Sequence, residues 1–292
     1  MRTVRAPATS ANLGSGFDVF GLALETPADV VRVERAAETT ITVTGVGSTY
    51  IPEDPKSNTV GAVADALDAP AHIHIDKGVR PSSGLGSSAA SAAGAAVALN
   101  ALYELGYTRE ELVSVAAEGE ALVSGVAHAD NVAPSLLGGF TIVTDEGITQ
   151  VDASLSLVAC LPELVVSTRD ARGVVPSSAS LADVTETVGK AATLAVGMAR
   201  DDPELVGQGM DDPIVTPRRA DLIDGYEDVR AAALETGATG VTVSGAGPAV
   251  LAVCRADDRR AVAGAMIDAF DEVDVESRAY QTRIGSGAIL YE

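Results

Sequence analysis

Pro81-Ser82-Ser83-Gly84-Leu85-Gly86-Ser87-Ser88-Ala89-Ala90-Ser91 is the stretch on which the reading of this chain turns. Its glycines let backbone N–H groups converge on one point, and its serine hydroxyls add further donors. A helix opening at Ser87–Ser88 directs its positive end at the same point. Such a loop holds a di- or triphosphate with few basic side chains, which suits a chain whose lysines are Lys56, Lys77 and Lys190. A Walker A loop needs Lys-Ser or Lys-Thr after its last glycine, and neither is present. Gly84-Leu85-Gly86-Ser87-Ser88-Ala89 formally matches the dinucleotide pattern GxGxxA. That pattern requires a strand running straight into the first glycine within a βαβ unit. Here Pro81-Ser82-Ser83 intervenes, and the next element after the helix is another helix. A mere turn before a capped helix would not require so many glycines and hydroxyls together.

Outward from the loop, residues 2–45 alternate in apolar character and predict several strands, interrupted by a polar, glycine-rich loop at Thr9–Asp18. Residues 57–68 begin at a Ser/Asn cap and carry helical spacing, and 71–76 alternate as a short strand. The Ala-rich run from Ser88 to about Leu105 reads as a buried helix. A second helix follows from Thr108 to near Ser124, with Thr108 and Glu111 spaced as a capping box. Strands are expected at 138–143 and 156–168. Asp183 and Glu186 form a capping pattern ahead of a helix to about Arg200, and a further helix covers about 222–235. Two strands joined by a tight turn, a helix over 258–270 and a strand over 273–282 complete a pattern of helices over a mainly antiparallel sheet. The fold class expected is α+β with two domains, 1–150 and 151–292, the boundary being soft because no linker marks it.

The chain has 292 residues, 47% hydrophobic and 21% charged, so it is globular. Twenty Lys and Arg against 41 Asp and Glu give a net charge of −21. That balance repels nucleic acid and anionic membranes, and neither is an expected partner. Cys160 and Cys254 sit in apolar runs, which argues against a disulfide scaffold, a zinc cluster or an iron–sulfur site and for a reducing cytosol. No run of about 18 apolar residues predicts a spanning helix, and no apolar segment precedes the polar "ATSANLGSG", so a cytoplasmic protein is expected. With no Trp and few lysines, the composition resembles that of proteins from salt-loaded cytoplasms, where carboxylates keep the surface hydrated. A merely acidic bacterial protein is the alternative.

The loop "PSSGLGSSAAS" resembles the second motif of the GHMP kinases, named for galactokinase, homoserine kinase, mevalonate kinase and phosphomevalonate kinase. "PATSANLGSGFDVFGLAL" (7–24) resembles their N-terminal motif, and "SGAGPAVLAV" (244–253) their C-terminal glycine-rich motif. Three motifs in order span nearly the whole chain. The resemblance implies an N-terminal mixed sheet with helices, a C-terminal ferredoxin-like antiparallel sheet with helices, and ATP with Mg²⁺. Within the group, "SANLGSGFD", "HADNVAPSLLGGF" (128–140), "TRDARGVVP" (168–176) and "PRRADLIDG" (217–225) are similar to the homoserine kinase branch. L-homoserine and ATP are therefore the expected substrates, and the chain is free to form a homodimer.

The chemistry of that substrate accounts for the residue types. An α-carboxylate suits the arginine fork, and Arg172 and Arg219 are the candidates, with Arg218 the alternative for the latter. An α-ammonium suits Asp18 and Asn12. By resemblance, His128, Asn131 and Thr168 complete the substrate pocket, Asn58 contacts adenine, and Pro81, Ser82, Ser83, Gly84, Leu85, Gly86, Ser87, Ser88, Ala89, Ala90 and Ser91 wrap the phosphates. Ser88 and Glu120 match the magnesium ligands, ahead of Glu118. Ser88, Glu120 and Asn131 form the expected catalytic set. Mevalonate- and galactokinase-type members are thought to use an Asp base where this chain has Asn131, which cannot accept a proton. Asp130 is the substitute candidate, although loose phosphoryl transfer needs little base catalysis. The third motif departs in carrying Ala246 and Ala249 where relatives usually have hydroxyls. A sibling kinase acting on shikimate or mevalonate, or a non-catalytic ligand sensor, are the competing functions.

Overall fold

The protein is described from a computed structural model covering residues 1–124 and 129–291. Its first strands, β1 (Arg2–Ala11) and β2 (Phe20–Arg35), form a long antiparallel pair. Over Pro27–Val33, β2 alternates buried and half-buried positions, whereas Phe20–Leu24 is buried throughout. The difference marks where one face meets helices and where both faces are covered. Next come β3 (Thr40–Gly45), α1 (Thr59–Ala66), β4 (Ala71–Lys77), α2 (Ser87–Tyr103), α3 (Arg109–Ser124), α4 (Ala129–Leu137), β5 (Phe140–Thr144) and β6 (Gly147–Val151). The second half runs β7 (Ser156–Pro162), α5 (Thr168–Gly173), α6 (Leu181–Ala199), α7 (Pro203–Met210), α8 (Thr216–Ala220), α9 (Tyr226–Glu235), β8 (Ala238–Val243), β9 (Val250–Cys254), α10 (Arg259–Asp271), β10 (Ser277–Arg283) and β11 (Ile289–Tyr291).

The first sheet has the order β11-β1-β2-β4-β3, with β5 on the free part of β2 and β6 beyond it. Only the β3–β4 pair among these is parallel, so the sheet is mixed. The second sheet, β10-β7-β9-β8, is antiparallel throughout. The fold class is α+β, as expected. The chain changes sheets between Val151 and Ser156, but β11 returns to pair with β1, so the last residues belong to the first sheet.

Three apolar layers result. Val31, Val33, Ile73 and Ile75 pack under Ala92, Ala96 and Leu99 of α2 and Leu112 of α3. Small side chains let α2 lie close to the strands; a β-carbon on Gly94 would come within 2.7 Å of Val31. The opposite face carries Leu22, Leu24 and Phe140 against Leu157 and Leu251 of the second sheet, joining the two halves through one core. Val158 and Ala252 face Val229 of α9 and Met266 and Phe270 of α10. Each fully buried Leu, Val or Phe contributes about 1.5–3 kcal/mol.

Several elements differ from the sequence reading. The strand expected over 156–168 ends at Pro162, and Ser167 caps α5 instead. The cap of α6 is Ser180 with Asp183, not Asp183 with Glu186; Glu186 pairs with Lys190 one turn on. The Thr108–Glu111 box is present, both hydrogen bonds formed. Helix α4 was masked by Pro134, which lies inside it. Among the described residues no helix is long and apolar enough to cross a membrane.

Candidate active site

The three glycine-rich segments meet. Thr9 N–H donates to the Leu85 carbonyl at 3.1 Å, and Gly245 N–H to that of Ala11 at 3.1 Å. The Ser244 hydroxyl lies 2.8 Å from both Ser10 Oγ and the Gly84 carbonyl. Sequence positions more than 150 residues apart are thus stitched by main-chain and hydroxyl bonds. The close approach explains two glycines. A β-carbon on Gly84 would fall 2.5 Å from the Ser244 oxygen, and one on Gly86 1.9 Å from Thr9 Oγ1. Both also hold positive φ, 78° and 62°.

From this junction opens a cavity of about 460 Å³. Ser82, Ser83, Gly84, Gly86 and the first turn of α2 form part of its wall. Among the described residues no side chain caps α2, whose first turn faces the cavity. Pro81, Ser87, Ser88, Ala89 and Ser91 share the lining. Leu85 and Ala90 do not: both side chains are fully buried in the core that joins the halves. Asn58 also lines the cavity, while its Oδ1 caps α1 at Val60 N and its Nδ2 donates to the Pro52 carbonyl.

Beneath the loop lies a charge pair that sequence reasoning missed. The buried Lys77 ammonium donates to Asp29, to the Ser87 carbonyl at 2.8 Å and to Ser91 Oγ at 2.8 Å. Asp29 Oδ1 in turn accepts from Gly78 N and Val79 N, each at 3.0 Å. Burial lowers the Lys77 pKa and the Asp29 charge opposes that. The network fixes the strand end from which the loop departs. Its signal was faint: an Asp within an apolar strand and one of only three lysines.

Glu120 reaches the cavity from α3, and its Oε1 accepts from Ser88 Oγ at 2.5 Å. Only 3% exposed, it is pushed up to about 7 by burial, against the pull of the Ser88 bond and with the Asp130 charge adding to the rise. Glu118 is exposed. Asp130 is pushed up to about 6, by burial first and then by Asp18. Asn131 Oδ1 accepts from Thr9 Oγ1 at 2.9 Å. His128 lies outside the described residues.

Two arginines and Asp18 line the same cavity. Arg172 on α5 pairs with Asp18 at 2.5 Å, both half exposed, and Thr168 opens the same helix. Arg219 on α8 is buried and donates to the Gly245 carbonyl at 2.6 Å; Arg218 is exposed. Burial lowers the Arg219 pKa, with Asp18 opposing and Arg172 adding to the fall. Asn12 lines the wall and holds the turn, accepting from Asp18 N at 2.9 Å and donating to the Gly245 carbonyl at 3.1 Å.

A glycine- and serine-rich loop stitched to two other glycine-rich segments, with Arg172 and Arg219 lining the same cavity, has the form of a small-molecule kinase of the GHMP class. Residues 57–139 match the GHMP kinases N terminal domain and residues 194–272 the GHMP kinases C terminal domain. The chain is 73% identical to homoserine kinase of Halorubrum lacusprofundi and 72% identical to that of Natronomonas pharaonis, over the full length of both partners in each case. The crystal structure of homoserine kinase from Cytophaga hutchinsonii superposes with a TM-score of 0.91 at 34% identity, covering 99% of this chain and 97% of that one. The chain belongs to the homoserine kinase family.

Proposed function

We propose that this enzyme transfers the γ-phosphoryl group of ATP to the side-chain hydroxyl of L-homoserine, forming O-phospho-L-homoserine for threonine biosynthesis. One observation carries the reading: a single cavity joins a phosphate-holding loop to two guanidiniums and a carboxylate. That far end is the electrostatic complement of an amino-acid zwitterion. Arg172 and Arg219 take the substrate carboxylate, Asp18 and Asn12 the ammonium, and Thr168 and Asn131 orient the chain carrying the hydroxyl. His128 is part of the same proposal. The backbone and hydroxyl donors of the loop hold the ATP phosphates, and Asn58, which keeps one amide N–H to spare, contacts the adenine.

Ser88 and Glu120 fit Mg²⁺: both offer hard oxygens beside the loop, and a carboxylate pushed up to about 7 gains from a nearby divalent cation. Bound there, the ion neutralises charge on the phosphate oxygens. The protein's own part is positioning and fixed dipoles, with the α2 N-terminus aimed at the transferring group. The relatives from Halorubrum and Natronomonas support reading the −21 charge as adaptation to a salt-loaded cytoplasm, the compartment assigned to the enzyme.

ATP consumption measured with L-homoserine, shikimate, mevalonate and galactose tests the reading. Robust turnover is expected with L-homoserine. Stronger turnover with shikimate or mevalonate would overturn the acceptor; shikimate has a carboxylate but no ammonium for Asp18.

A further inference from the structure

Two guanidinium groups brought to one carboxylate repel each other until the substrate arrives, so something must hold them together in its absence. Asp18 neutralises Arg172 from the solvent side. On the protein side both arginines meet the same aromatic ring. Arg172 Cζ lies 5.5 Å and Arg219 Cζ 5.1 Å from the centroid of Phe17. Each distance is within the range at which the ring quadrupole attracts a cation.

Phe17 is half-buried, and the backbone beside it is hydrogen-bonded. It sits in the turn between β1 and β2, where Gly16 N–H donates to the Asn12 carbonyl at 3.0 Å and the N–H groups of Val19 and Phe20 return to Gly16 at 2.9 and 2.8 Å. A β-carbon on Gly16 would collide with the Phe20 ring at 2.1 Å, so the flanking backbone closely abuts the core. The two arginines come from separate short helices, α5 and α8. Arg219 is further tied to Ala171 and Gly245 by its own donors, while Arg172, among the described residues, has the exposed Asp18 pair and the ring.

We propose that Phe17 is a positioning residue for acceptor recognition: its ring gathers Arg172 and Arg219 into a preformed fork for the α-carboxylate. It touches the arginines rather than the substrate, and it sets specificity for acceptors that carry a carboxylate. The proposal rests on the L-homoserine reading above. A change to the ring should therefore alter binding of the acceptor and leave phosphoryl transfer alone. Preorganisation of this kind changes affinity by removing the ordering cost of the two long side chains.

The test is steady-state kinetics on Phe17→Leu, on Arg172→Ala and on the double variant, with circular dichroism confirming the fold. For Phe17→Leu, KM for L-homoserine should rise about tenfold, the scale of one exposed and one buried cation–π contact together, while kcat and KM for ATP stay within about twofold. In the Arg172→Ala background the same change should have a clearly smaller effect, because the two act as a unit. Mono-, di- and trifluorophenylalanine at position 17 preserve shape while draining the ring quadrupole, so KM should climb step by step across the series; this arm decides should Phe17→Leu misfold. An unchanged KM, equal losses in kcat and ATP affinity, additivity in the double variant, or a flat fluorination series would each overturn the proposal. Absence of wild-type turnover on L-homoserine would instead overturn the acceptor assignment, and the fork proposal with it.

Discussion

Arg172 Nη1 and Asp18 Oδ2 stand 2.5 Å apart across the mouth of the cavity, two groups assigned to opposite ends of one zwitterion and paired with each other without it. Their side chains are 40% and 43% exposed, so water screens the pair and its contribution to the fold is at most about 1 kcal/mol. On the proposed reading, substrate would exchange one ion pair for two. Replacing Arg172 by Ala should raise KM for L-homoserine by about 10–100-fold, the range for losing a charge-assisted bond, with kcat much less affected. The thermal midpoint should hardly move. A large loss of stability with unchanged KM would assign the pair to the fold alone.

Arg219 should behave differently, because it is buried and bound to Gly245 and Ala171. Arg219→Ala removes the second guanidinium proposed for the substrate carboxylate and also one of the two side-chain donors, with Asn12, to the Gly245 carbonyl. A lowered thermal midpoint should accompany the rise in KM. Calorimetry beside kinetics separates the two arginines, and identical stability profiles would contradict the burial difference.

How much of this was legible beforehand follows from what kind of signal each residue carries. The loop 81–91, the turn 12–18 and the segment 244–249 work through backbone geometry, and glycine and serine announce that locally. The convergence of Thr9, Leu85 and Ser244 was implied only because three motifs stood in order. Phe17, Asp29 and Lys77 were passed over, since a cation–π shelf spanning more than 150 residues or an ion pair 48 residues apart leaves no local pattern. Helix α4 was hidden by Pro134, which costs one backbone bond that burial of Val132, Ala133 and Leu136 offsets. Leu85 and Ala90 were included with the phosphate loop because motif positions do not show which way a side chain turns.

The buried carboxylate Glu120 gives a pH dependence with a definite sign. Its pKa is raised to about 7 in the fold, above the value of the unfolded chain, so the folded state binds the extra proton. The stability this contributes is fully present below the unfolded pKa, near 4.5, and is lost as pH rises through about 7. Metal-free protein should therefore melt higher at pH 5 than at pH 8 as far as this group is concerned. Glu120→Gln should flatten that difference and stabilise the metal-free protein at pH 8 by about 1–3 kcal/mol while abolishing most activity. Thermal melts of both proteins across pH check it; parallel curves would refute it.

A charge of −21 makes the fold repel itself in dilute buffer. At molar salt the Debye length falls to about 3 Å, shorter than most spacings between surface carboxylates. The thermal midpoint should climb by about 5 °C or more between dilute and multimolar KCl, equivalent to roughly 2 kcal/mol for a chain of this size. A midpoint insensitive to KCl would remove the salt-adaptation reading.

Asp130 and Asn131 bear on whether the reaction needs a base. Asp130 lines the cavity with its pKa raised to about 6, so at pH 8 it is ionised and able to accept a proton. Its neighbour Asn131 accepts from Thr9 Oγ1 and faces Gly86 of the loop, which fixes the amide at the junction of the first two motifs. A loose phosphoryl transfer leaves the acceptor hydroxyl largely protonated until late, so geometry outweighs early proton removal. On that ground Asp130→Asn should retain kcat within about tenfold, and Asn131→Leu should reduce it more, because it removes the amide proposed to orient the acceptor. Glu120→Gln should cost at least as much as Asn131→Leu through lost charge neutralisation. The measurement is kcat at pH 8 under saturating ATP and L-homoserine, with folding verified for each variant. A loss beyond roughly 10²-fold for Asp130→Asn, the lower range for deleting a general base, would make Asp130 that base; the wild-type rate should then also fall as pH drops through about 6.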